Sequence, residues 1–185
     1  MDEASRFQEL VLTNLHSLHN YARLLTRRAD EAEDLLQEGL LRAFKHFRAF
    51  DPSLSFKPWM FTILKRAHID RYRRRATREG AGHALAPPPL DDPLYTIPVA
   101  PEEILLRREV VEHVREAIRC LPPYFREIVE LRDLEGLSYR EIAAVVERPI
   151  GTVMSRLYRG RNLLRTYLID RRRPVERAAE IRDGL

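Results

Sequence analysis

The sequence predicts an all-α protein of two small helical domains joined by a flexible proline-rich linker. Three observations carry this. Apolar residues recur at helical spacing through residues 4–75 and again through 104–168, and no segment alternates as a half-buried strand does. Between these blocks, residues 79–103 (EGAGHALAPPPLDDPLYTIPVAPEE) hold six of the twelve prolines. Proline fixes φ and lacks an amide donor, so this stretch is expected to be extended rather than helical. A length of 185 residues suits two such domains. The expected boundaries are 1–78 for the first domain, 79–103 for the linker, 104–170 for the second domain and 171–185 for a basic tail.

In the first block, a helix over 4–27 carries Phe7, Leu10, Val11, Leu15, Leu18 and Ala22 near helical spacing. The next is expected to open at Asp30, with Glu33 three residues on as an acidic variant of the capping box. Its apolar stripe is Leu36, Leu40, Ala43, Phe44 and Phe47. Asp51-Pro52 stops it, because proline disfavours helix at the residue before it. A third helix starts near Ser55, accommodates Pro58 in its first turn and runs to Arg75.

In the second block, residues 102–120 place Leu106, Val110, Val114, Ala117 and Ile118 on one face. Leu121-Pro122-Pro123 breaks the chain and a new helix starts at Pro123, ended by Gly136 in the C′ position. Ser138-Tyr139-Arg140-Glu141 is a capping box opening a helix to Val146. A short turn then leads to Thr152, the expected N-cap of a final long helix whose core face is Val153, Leu157, Leu164 and Leu168.

Composition narrows the function classes. Hydrophobic residues make up 44% and charged residues 32%, which fits a folded chain rather than a disordered one. The single cysteine, Cys120, excludes an internal disulfide and reads as a small apolar residue near a helix end. No apolar run approaches the roughly 18 residues of a membrane span, and the N-terminus lacks a signal pattern, so a cytoplasmic protein without membrane insertion is expected. There is no nucleophile–base arrangement, glycine-rich phosphate loop or metal-ligand spacing. The expectation is a non-enzyme with no catalytic residues, no metal and no cofactor.

Charge is distributed unevenly behind a net value of +4. From 148 to 173 there are eight arginines and one acid, Asp170. A short helix, a turn and a longer helix is the shape of a helix-turn-helix, whose second helix enters the DNA major groove. Thr152, Ser155, Arg156 and Arg159 lie off the apolar face, where arginine suits guanine and hydroxyls suit phosphate. In the first block, residues 30–38 (DEAEDLLQE) carry five acids and no base, which reads either as a solvated face or as a docking surface for a basic partner. Residues 65–78 carry seven bases and one acid, near Trp59, Phe61 and Tyr72. Bases beside aromatics suit backbone tracking and stacking on unpaired bases, although Trp59 shares a face with Ile63 and reads as core.

These strings resemble a known family. LSYREIAAVVERPIGTVMSRLYRGRNLL resembles region 4.2 of sigma factors and LPPYFREIVELRDLEG region 4.1. AEDLLQEGLLRAF resembles region 2.2, and SFKPWMFTILKRAHIDRYRRR regions 2.3 and 2.4, of the extracytoplasmic-function class. One position departs: the family commonly has asparagine where Arg66 stands, between Ile63 and Asp70. The resemblance implies an alternative sigma factor that binds core RNA polymerase and directs promoter-specific initiation. It implies docking on the β′ clamp helices through Asp34, Leu35, Gln37, Glu38 and Leu41, and contact with the β flap by region 4. It implies −10 binding by Phe56, Lys57, Lys65, Arg66, Asp70, Arg71, Arg73, Arg74 and Arg75, with the 50–57 loop setting specificity. The −35 set it implies is Ser138, Arg140, Pro149, Gly151, Thr152, Ser155, Arg156, Arg159 and Arg161. An anti-sigma factor is a further expected partner. Two other readings are a helix-turn-helix regulator that is not a polymerase subunit, which would need no acidic docking helix, and an adaptor that sequesters an anti-sigma factor.

Overall fold

A computed structural model describes the backbone of residues 2–26, 28–78 and 103–169. The expected linker over 79–102 and the tail after residue 169 lie outside the described residues, as do the side chains of Leu106 and Val110. Among the described residues there is no β-strand. They form two compact units, one centred on the first three helices and one on the later helices.

The first unit contains α1 (Glu3–Thr26), α2 (Ala29–His46), a 3-10 turn at Phe47–Ala49 and α3 (Phe56–Arg78), each helix packing on the other two. Asp2 caps α1 by accepting from the Ser5 amide at 2.7 Å. The α1 apolar face is shifted from the expected one: Leu18, Tyr21 and Ala22 are buried, whereas Leu15 is exposed. Tyr21 stacks on Phe61 at 4.4 Å between centroids, and Leu18, Leu35, Met60 and Leu64 are fully buried in the same unit. Gly39 is the small residue that lets α2 approach α3: a Cβ there would run into the Leu64 side chain.

Asp30 does not cap α2. The N-cap is Arg28, in an extended conformation with no side-chain capping bond, and Asp30 lies inside the first turn. Its carboxylate instead accepts two bonds from the Arg28 guanidinium, at 3.1 and 2.8 Å, which pulls its pKa down to about 2. A charged fork outcompetes a neutral amide for a carboxylate. The chain leaves α2 through Phe47, and Asp51 folds the loop by accepting from the Ser53 amide at 2.9 Å. Pro58 sits in the first turn of α3, where its missing donor is harmless.

The second unit contains α4 (Glu103–Cys120), α5 (Pro123–Val129) running into a π-helical turn (Glu130–Leu134), α6 (Tyr139–Val146) and α7 (Ile150–Ile169). Pro123 opens α5 and Gly136, at φ +74°, closes the segment as expected. Buried Arg126 donates from Nη2 to the carbonyls of Leu121, at 2.9 Å, and Arg119, so a cation satisfies acceptors at the C-terminal end of α4. Gly160 brings α7 onto α5, since a Cβ there would lie 2.9 Å from Val129 Cγ2. The buried face of α7 is Val153, Leu157, Gly160 and Tyr167. Leu168, expected in that face, is 44% exposed. The apolar seam advances from Leu164 by three residues rather than four, which a 3.6-residue period allows equally well. Cys120 ends α4 half-buried, and burial pushes its thiol pKa up.

Candidate nucleic-acid interface

In the first unit the acidic helix and the basic helix are not independent surfaces. Glu38 on α2 accepts from Arg42 at 2.5 Å, from Arg71 at 2.8 Å and from Arg74 at 3.5 Å. Arg42 also donates to Asp70 at 2.7 Å, Arg71 to the Glu31 carbonyl at 3.4 Å, and Arg75 to the Glu31 carboxylate at 3.1 Å. Burial opposes ionisation of Glu38, but the bonds from Arg71 and Arg42 outweigh it and hold its pKa below the usual value. Arg42 does the same for Asp70. The result is a bolt between α2 and α3 that fixes where three guanidiniums of α3 stand. Arg66, Arg73, Arg74 and Arg75 remain exposed, while Lys65 and Arg71 are half-buried.

Several residues expected at the docking and −10 surfaces are placed otherwise. Leu35 is fully buried, because it lies on the core side of α2 between Ala32 and Gly39, three and four residues away, so it has no surface to offer a partner. Asp34, Gln37 and Leu41 are exposed on the opposite side, Leu41 at 65%. Phe56 is buried too. Its ring meets those of Phe7, Phe47, Phe50 and Trp59 at centroid distances of 6.1, 6.5, 5.8 and 5.7 Å, so it is committed to an aromatic cluster. Trp59 belongs to that cluster, 4.8 Å from Phe50, as its shared face with Ile63 predicts. Lys57 beside it is half-buried. Asp70 is paired with Arg42 on α2.

In the second unit the capping box forms as expected. The Ser138 amide donates to Glu141 Oε2 at 2.7 Å and the Glu141 amide to Ser138 Oγ at 3.3 Å, which fixes the start of α6. The turn after α6 passes through Glu147 at φ +52°, the left-handed region. Thr152 is not the N-cap of α7: the helix begins at Ile150, and the amides of Thr152 and Val153 donate to the Pro149 carbonyl. Pro149, Gly151, Ser155, Arg140 and Arg159 are exposed, and Thr152 is half-buried. Arg156 lies on the flank of α7, its guanidinium 5.5 Å from the Tyr124 ring centroid. Arg161 donates through Nε to Asp133 at 3.0 Å and is braced against the π-helical turn. Sequence reasoning passed over Met154 and Tyr158, which are exposed on the same face as Ser155 and Arg159. The signal for them is helical spacing: Met154 lies three residues after Gly151 and Tyr158 three after Ser155.

Among the described residues no cluster of His, Cys, Asp and Glu could hold a metal ion, and no helix is long and apolar enough to cross a membrane. A bolted arginine-rich helix in one unit and a helix-turn-helix in the other define a class: two-domain helical proteins that recognise nucleic acid. The family follows from comparison with known proteins. The model for sigma-70 region 2 matches residues 10–78, and that for sigma-70 region 4 matches residues 112–164. The chain is 35% identical to the extracytoplasmic-function (ECF) RNA polymerase sigma factor SigE of Mycolicibacterium smegmatis, over 88% of this chain and 61% of that protein. It is 32% identical to the ECF sigma factor SigW of Bacillus subtilis, over 76% of each chain. In structure it is similar to the sigma factor RpoE of Bartonella quintana, solved in complex with the anti-sigma factor NepR, with a TM-score of 0.69 and 27% identity over 90% of this chain and 99% of that one. The chain belongs to the ECF family of RNA polymerase sigma factors.

Proposed function

We propose that the chain is the promoter-recognition subunit of RNA polymerase: it binds the core enzyme and directs initiation at promoters defined by −35 and −10 elements. One observation carries this, namely that the region 2 and region 4 models both match, in that order, at residues 10–78 and 112–164. A helix-turn-helix regulator would account for the second match and leave the first without a purpose. The chain performs no chemistry of its own and works in the cytoplasm beside the polymerase.

In this reading the exposed side of α2, Asp34, Gln37 and Leu41, docks on the β′ clamp helices, with Glu38 and Leu35 supporting it from within. The α3 bases Lys65, Arg66, Arg71, Arg73, Arg74 and Arg75 follow the −10 strand by phosphate contact, Lys57 and the loop before it meet the bases, and Phe56 and Asp70 hold that surface in shape. Region 4 sits on the β flap and reads the −35 duplex. Arg159 and Ser155 face the groove, Gly151, Thr152 and Pro149 allow backbone approach, and Ser138, Arg140, Arg156 and Arg161 complete or brace the site. Two weak DNA modules on one polymerase gain from effective concentration, so neither has to bind tightly alone. An anti-sigma factor is its partner when silent, as the neighbour solved with one suggests. The test is transcription in vitro with core polymerase and genomic fragments. Discrete start sites that require this chain are expected; their absence overturns the proposal.

A further inference from the structure

The outward face of α7 is not the one its arginines alone suggest. Opposite Val153, Leu157 and Gly160 lie Gly151, Met154, Ser155, Tyr158 and Arg159, spaced i, i+3, i+4, i+7 and i+8, and all five are exposed. Met154 is 52% and Tyr158 70% exposed. A lone apolar residue at a surface needs no reason. These two are one turn apart on the helix that follows the helix-turn-helix bend, with exposed Arg159 beside Tyr158 and exposed Arg165 two turns further along the same line of the helix. Gly151 begins the same face, and a Cβ there would meet nothing within 4 Å, so the chain's own packing does not demand a glycine. An apolar stripe with one cation beside it and another beyond its end, and kept low at its start, is shaped for a close apolar feature set among anions.

We infer that Met154 and Tyr158 form an apolar reading stripe for thymine 5-methyl groups in the major groove of the −35 duplex; this rests on the function proposed above and deepens it. In the major groove the guanine, cytosine and adenine edges present only hydrogen-bonding groups, and thymine alone adds a methyl group. The Met154 thioether makes at best a weak acceptor, so hydrogen-bonding readout falls to Ser155 and Arg159 while Met154 contributes apolar contact. The arginines neutralise phosphates along the groove. Residues four apart on a helix are separated by about 6 Å along its axis, against about 3.4 Å between base pairs. The two side chains therefore address thymines on adjacent or next-but-one base pairs.

The test uses the full chain with core polymerase on a promoter located by start-site mapping. Each thymine of the −35 element is replaced in turn by deoxyuridine, which removes only the methyl group. One or two positions should weaken promoter binding about fourfold, the equivalent of one buried methyl-sized group. Met154→Ala should abolish the sensitivity at one position and Tyr158→Ala at the other, while Tyr158→Phe keeps it. Both side chains are exposed, so the alanine variants should retain the wild-type helical circular dichroism. Selective promoter binding that ignores every deoxyuridine would overturn the inference and leave the sigma-factor function standing, and it is the result expected if the stripe serves a protein partner. Deoxyuridine penalties that persist in both alanine variants would overturn it too. A holoenzyme with no promoter selectivity removes the proposed function and this inference together.

Discussion

Replacing Glu38 by glutamine tests whether the bolt between α2 and α3 is electrostatic. Glutamine keeps the size and one carbonyl acceptor but loses the charge. Hydrogen bonds to a charged group contribute about 1.5–3 kcal/mol each, but two features reduce the loss here. The Glu38 side chain is 26% exposed, so water screens part of the interaction. Arg42 also keeps Asp70 at 2.7 Å, and Arg71 keeps the Glu31 carbonyl. The expected cost at pH 7 is therefore about 1–2 kcal/mol rather than the sum of three such bonds. The pH dependence has a definite sign. The folded-state pKa of Glu38 lies below its ordinary value of 4.5. Its contribution is complete above the unfolded value and is lost as pH falls through the folded one. Urea unfolding followed by tryptophan fluorescence reads this, because Trp59 is the only tryptophan and sits in the aromatic cluster of the first unit. The gap between wild type and Glu38→Gln should be largest near pH 7 and shrink on acidification. A gap that stays constant with pH, or no gap at pH 7, would refute the electrostatic account.

Three further outcomes are expected. Burial pushes the Glu130 carboxyl up to about 7 from 4.5, so the folded chain holds a proton that the unfolded chain releases. Wild type should then lose stability as pH rises between those values, by roughly 1.4 kcal/mol for each pH step of one, whereas Glu130→Gln should be flat. Amide exchange of α5 and α7 at pH 5 and pH 8 measures it, and parallel profiles would count against it. Gly39→Ala should cost about 1–3 kcal/mol in the tryptophan-detected melt, because the added methyl group meets fully buried Leu64; an unchanged melt would mean that α2 does not need its close approach. Arg159→Ala should weaken −35 duplex binding more than Arg156→Ala, since Arg159 is exposed on the outward face and Arg156 is turned toward Tyr124. Gel-shift titration with the holoenzyme decides between them, and the reverse order would show that Arg156 leaves the ring on binding.

The helices themselves were legible because periodicity and punctuation are local. Pro123, Gly136 and the Ser138–Glu141 box act within a few residues, and each falls where expected. What eluded the sequence was the destination of charge and the rotation of faces. Asp30 had a local alternative to capping in Arg28, and a charged fork is the stronger partner. That Glu38 would face Arg71, thirty-three residues away, is a property of helix packing that no spacing on one helix reveals. The resemblance places Leu35 and Phe56 in functional strings, whereas burial is decided by the whole helix and not by the string. Tyr167 rather than Leu168 completes the α7 core for a similar reason: two neighbouring residues suit one seam, and packing against α5 and α4 chooses.

The aromatic cluster has an evolutionary consequence. Phe50 and Phe56 are buried on either side of five consecutive exposed residues, 51–55. Their rings lie 5.8 Å apart and are gripped by Phe47 and Trp59. The five intervening positions are thus held at both ends by the core and, apart from Asp51, which folds the loop, contribute little to it, so residues 52–55 form an exchangeable cassette. Mutation can explore new sequences there without first having to find a stabilising change elsewhere. A lineage that duplicates this chain can diversify the segment and keep the scaffold, and grafting residues 52–55 from a paralogue, with Asp51 kept, should leave the melt of the first unit nearly unchanged.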